Sequence, residues 1–128
     1  MARYTGPMKS YLSLSLSLLT AALLSGCAGG LERARQAAYD DYWQCVSHAV
    51  QPLILGSPLS AGASVQTAQT RCAGSWNRFE AQQIALVQSR LRRDNADLGN
   101  RLGQEQARVW RQRATRALTD YVIEQRRR

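Results

Sequence analysis

The chain has little of what catalysis usually requires. It carries one histidine, and its adjacent acids Asp40 and Asp41 would point to different helix faces rather than face each other. The C-x-x-C-H pattern of haem attachment is missing. No glycine-rich phosphate loop follows a strand, because no stretch alternates as a strand does. These absences leave an enzyme unsupported. Aromatic residues make up only 7% of the chain, and much of its apolar content is alanine, whose burial contributes little. Lysine occurs once, at Lys9. The length fits one domain with a small core, the kind that often needs a covalent staple. No cofactor is implied.

The first 26 residues are organised differently from the rest. A basic start with Arg3 and Lys9 precedes an apolar segment from Tyr11 to Leu24. That segment is shorter than the ~20 residues a membrane-spanning helix needs, so it reads as a cleavable export signal. It ends in Leu24-Ser25-Gly26-Cys27, an aliphatic residue, two small ones and a cysteine. This resembles the lipobox of bacterial lipoproteins, and the resemblance covers residues 1–28 alone. It implies cleavage after Gly26, a diacylglyceryl thioether on Cys27, and anchoring of the mature chain to a membrane on its periplasmic side. Ala28, where an aspartate would favour retention in the inner membrane, leans toward the outer membrane. Without a lysine in the mature chain, the resemblance does not extend to lipoproteins joined to peptidoglycan through a C-terminal lysine. Residues 27–30 are then expected to be a short linker, with a helical domain over 31–128.

Export implies an oxidising compartment, and with Cys27 alkylated the two remaining cysteines make an even count. Leu31, Ala34, Ala38, Tyr42, Cys45 and Ala49 recur at helical steps up to Pro52, which ends the helix. After a loop, Ser64 can cap a second helix that places Val65, Ala68, Cys72, Trp76, Phe79, Gln83, Leu86 and Leu91 on one face. Counting back from the turn at 1.5 Å per residue, Cys45 and Cys72 lie about 9 and 12 Å from it. The geometry therefore predicts a Cys45–Cys72 disulfide across an antiparallel hairpin. A zinc site from Asp41, Cys45, His48 and Cys72 is the competing arrangement, and it lacks the paired C-x-x-C of such sites. No metal is expected.

Asp94 to Asn100 reads as a turn or cap, which puts a break near residues 95–100. Leu102, Val109, Trp110, Ala114, Ala117, Leu118, Tyr121 and Val122 then form a third amphipathic stretch, with Gly103 weakening its start. The expected fold is all-α, a disulfide-linked hairpin extended to a three-helix bundle, with one long second helix from about residue 64 as the alternative.

Beyond residue 26 the chain has 15 arginines against 9 acids, and the excess gathers near the C-terminus. Arg126, Arg127 and Arg128 could complement a helix dipole or contact an anion. Leu53, Ile54, Leu55 and Leu59 make the hairpin loop unusually apolar, so it either caps the bundle or presents a partner tip. No base-reading module is visible, so nucleic acid is not an expected partner. Together these features point to a lipid-anchored accessory or structural protein that docks, without catalysis, onto an envelope protein or an anionic envelope component. Self-association is compatible with the same features. A small lipid or ligand carrier built around Trp43, Trp76 and Trp110 is the alternative.

Overall fold

The computed structural model describes residues 26–91 and 93–128, with side chains from residue 29 onward. The segment expected to be an export signal lies outside the described residues except for Gly26, and so does the Cys27 thiol. The chain forms helices α1 (Gly26–Val50), α2 (Pro52–Leu55), α3 (Ala61–Arg71), α4 (Ala73–Arg90) and α5 (Ala96–Arg127), with a single 3₁₀ turn at Arg93–Asn95. No strand occurs among the described residues. Taken as three long elements, α1, the pair α3–α4, and α5 make an up-down-up bundle, so the expected three-helix arrangement holds. Both α1 and α5 pack along α3–α4, which is the central layer.

The second face follows the sequence pattern. Val65, Ala68, Cys72, Trp76, Phe79, Gln83 and Leu86 are all buried. Its N-cap differs from expectation: Ser60, not Ser64, is the cap and accepts the Ala63 amide at 3.2 Å, so α3 starts four residues earlier. Ser64 is buried inside the bundle instead. At Cys72 the helix bends, and this residue both ends α3 and opens α4.

Two further expectations are corrected. The buried stripe of α1 runs through Arg35, Tyr42, Val46 and Val50, while Ala34 is exposed. Tyrosine and valine remove more apolar area from water than alanine does, so they decide which face turns inward. Helix α1 also continues through residues 27–30, expected as a linker, and Arg33 Nε donates to the Gly29 carbonyl at 3.1 Å.

The break after the second helix falls at Leu91–Asn95, ahead of the expected 95–100. Leu91 is extended there, and Gly99 and Asn100 are helical. The buried side of α5 is Gly99, Gly103, Ala107, Ala114, Leu118 and Val122, whereas Leu102 and Val109 face outward. A Cβ on Gly103 would come within 2.6 Å of Ile84 Cα. The missing side chain is what lets α5 approach α4 so closely.

The core holds three cross-helix devices. Cys45 and Cys72 form a disulfide with a Cα–Cα distance of 5.9 Å, joining α1 to the α3–α4 bend as expected. This bond occupies both sulfurs that a zinc site would have used. Tyr39, Tyr42, Trp76, Phe79 and Trp110 form one aromatic cluster, with centroid separations from 4.7 to 6.3 Å. Beside it, buried Gln69 donates to Tyr42 Oη at 3.0 Å and to Thr115 Oγ1 at 2.8 Å, tying three helices through one amide.

Candidate functional site

The loop joining α1 to α3 stands at one end of the bundle. Its four expected tip residues divide between two roles. Ile54 is buried and closes the core, and Leu53 is half-buried. Leu55 is 83% exposed and Leu59 39% exposed, so these two present apolar surface outward. Pro52 starts α2 directly after α1, and the four-residue helix turns Ile54 in and Leu55 out.

So short a helix leaves its carbonyls without intrahelical partners. Arg126, near the end of α5, supplies them. Its Nε donates to Ile54 O at 2.7 Å, Nη1 to Leu59 O at 2.8 Å, and Nη2 to Leu53 O at 2.9 Å and Ser64 Oγ at 3.2 Å. The expectation that Arg126 contacts an external anion is therefore corrected. Its donors point into the loop, because buried carbonyls need partners more than an exposed cation needs a counterion. Arg128 pairs with Glu124 at 3.5 Å, and Arg127 is exposed. Both suit a helix C-terminus.

A second feature lies on the side of the bundle. Between parallel α1 and α5 runs an open cleft. One stretch is lined by Tyr39, Asp40, Trp43, Arg113, Ala114 and Ala117. The next is lined by Trp43, Ser47, Gln51, Ala117, Leu118 and Tyr121, and each has a volume near 330 Å³. Gln51 spans it toward Tyr121 Oη at 3.4 Å. Of the three tryptophans expected around a carrier interior, only Trp43 lines this cleft; Trp76 and Trp110 belong to the aromatic cluster.

At the opposite end from the loop, Arg35 is nine-tenths buried. It pairs with Glu32 and lies 5.0 Å from the Trp110 ring centre, while Arg90 reaches Glu32 at 3.0 Å. The Arg35 Nε and Nη1 find no acceptor among the described residues, and the ring face offers the cation a partial substitute. Burial pushes the hydroxyls of Tyr39 and Tyr42 up from 10.0; Asp40 adds to the effect at Tyr39, and Gln69 opposes it at Tyr42. These tyrosines therefore stay neutral, which suits packing.

Among the described residues no cluster of His, Cys, Asp and Glu could hold a metal, and no helix is long and apolar enough to cross a membrane. The close Gly103 contact and the Arg126 clamp are what sequence reasoning missed. The small residues Gly99, Gly103 and Ala107, each four apart, were a visible signal for the first; the second had none. No family model, curated protein or solved structure matches the chain.

Proposed function

We propose that this chain is a lipid-anchored accessory protein of the bacterial envelope. Cys27 ties it to a membrane on the periplasmic side, and its loop end docks onto an envelope protein without catalysis. One relation carries this reading. Cys27 lies in the first turn of α1 and the exposed Leu55 lies just past its last, so anchor and tip are about 35 Å apart along one helix. The disulfide, the Gln69 bridge and the Arg126 clamp brace that length, which suits a post holding a small apolar tip away from the membrane. With Arg126 engaged internally, apolar contact with a protein fits the tip better than phosphate binding. The lipobox and the lean of Ala28 toward the outer membrane support the location.

A photo-reactive amino acid at position 55, irradiated in cells, tests the docking. A discrete protein adduct, absent from the same substitution at exposed Gln104, is the expected result. Equal adducts from both positions overturn it. Loss of the C27S variant from the membrane fraction tests the anchor.

A carrier function has one observation in its favour, the apolar cleft between α1 and α5, whose volume is at the low end for small-molecule sites. A lipid retained by the detergent-washed protein, and lost on A117W, would favour it over docking.

A further inference from the structure

The bundle end opposite the loop carries exposed leucines and arginines, and its height relative to Cys27 can be fixed from contacts between helices. On α5, Trp110 meets Tyr39 edge-on with ring centres 4.7 Å apart and lies under Arg35 at 5.0 Å. Parallel helices keep this pairing as both step back by 1.5 Å per residue, so Cys27 is level with the first two turns of α5. Leu98 and Leu102 lie there, 39% and 41% exposed. On antiparallel α4, Phe79 meets Tyr39 at 5.2 Å and Arg90 meets Glu32 at 3.0 Å. Stepping on from these two contacts, Cys27 comes level with Leu91 by the first and with Asn95 by the second. The corner from Arg93 to Asp97 therefore sits level with Cys27 or just past it, at the end of the bundle that would carry the lipid.

We propose that this α4–α5 corner seats on the anionic lipid surface of the membrane that holds the anchor; the inference rests on acylation of Cys27. A thioether to a lipid glycerol puts Cys27 at the headgroup layer. Side chains level with it meet the same layer, because α1 is helical from Gly26 and leaves no extended stalk. The chemistry of the corner fits that depth. Leu98 and Leu102 offer apolar surface to the acyl boundary, as interfacial segments do. Among the described residues at this end, Arg33, Arg35, Arg90, Arg93 and Arg101 outnumber Glu32, Asp94 and Asp97, a cationic balance that favours anionic headgroups. The bundle is thereby held upright by two contacts, lipid and corner, and its tip is oriented as well as tethered.

The test uses the mature protein purified from membranes, reconstituted in vesicles of phosphatidylethanolamine and phosphatidylglycerol with brominated acyl chains, which quench nearby tryptophan. L98W and L55W are compared with the native protein, each checked for helicity and for the disulfide. The tryptophan added by L98W should lose emission in brominated vesicles, and that added by L55W should not. Replacing phosphatidylglycerol by phosphatidylcholine should weaken the L98W quenching. An L98W signal that bromine leaves unchanged, in protein whose N-terminal peptide carries acyl chains, overturns this inference alone. An N-terminal peptide without acyl chains overturns it together with the anchoring reading. Equal quenching in both vesicle types overturns the choice of an anionic surface.

Discussion

The Arg126 guanidinium donates to the carbonyl oxygen of Ile54 at 2.7 Å, across a sequence separation of 72 residues. Three carbonyls and a serine hydroxyl share this one side chain, so the loop end of the bundle depends on the last turn of α5. R126A would leave partly buried carbonyls without a donor, with an expected loss of about 2–3 kcal/mol in urea unfolding. R126K should recover only part of it, since an ammonium lacks the planar fork that reaches several acceptors at once. A variant as stable as the native protein would show that water satisfies the loop equally well.

Gly103 and Gly99 make a paired prediction. The added methyl of G103A meets the Ile84 backbone, which cannot move aside, and should cost about 1–3 kcal/mol despite alanine's better helix propensity. In G99A the nearest atom is Cγ of Gln88, at 2.8 Å on an exposed side chain that can swing away. That variant should be close to neutral. Thermal unfolding of both in parallel checks the contrast, and equal effects would remove the case for close approach at Gly103.

These glycines also explain what could be learned from sequence. The α3–α4 face was legible because large apolar residues mark it at every turn. The α5 face was legible in its second half, through Ala114, Leu118 and Val122, and misjudged in its first, where Gly99, Gly103 and Ala107 carry little hydrophobic signal and Leu102 and Val109 drew the stripe to the outer side. On α1, counting alanine as equal to tyrosine shifted the stripe by one position. The disulfide was legible because it needs only two helices and a turn to set the heights of Cys45 and Cys72. The Arg126 clamp was not: its acceptors are backbone groups far away in sequence, and no local pattern separates it from Arg127 or Arg128.

Reduction gives a direct measure of the staple. Cys45 and Cys72 are 27 residues apart, and closing a loop of this size stabilises by roughly 3–4 kcal/mol in the chain-entropy model. Urea unfolding with and without reductant should show that difference. C45A/C72A should behave like the reduced protein, with the same bundle at low temperature. A midpoint insensitive to reductant would mean that the aromatic cluster alone holds α1 against the α3–α4 bend.

Alkaline pH should weaken the fold through its buried tyrosines. Tyr42 and Tyr39 are held above 10.0 chiefly by burial. A group whose folded pKa is raised contributes stability that is fully present below the unfolded value. As pH rises above that value, the unfolded chain releases its proton first, and the contribution is lost progressively up to the folded pKa. Unfolding free energy should therefore fall above about pH 10. Y42F should flatten that decline while Gln69 keeps its bond to Thr115. A decline of equal slope in Y42F would assign the alkaline sensitivity to other groups.

The loop leucines separate stability from docking. Ile54 is buried under the Arg126 clamp, so I54S should destabilise by about 2–4 kcal/mol, combining lost apolar transfer with a cavity. Leu55 is the next residue and faces solvent, so L55S should leave unfolding unchanged within about 0.5 kcal/mol. If the loop end docks onto an envelope protein, L55S should nonetheless lose the partner in a pull-down from crosslinked membranes. The two measurements divide the alternatives that the apolar loop raises. An L55S protein that is both stable and fully able to capture its partner would move the docking surface away from the tip, leaving the α1–α5 cleft, with Trp43 and Tyr121 at its wall, as the next surface to alter.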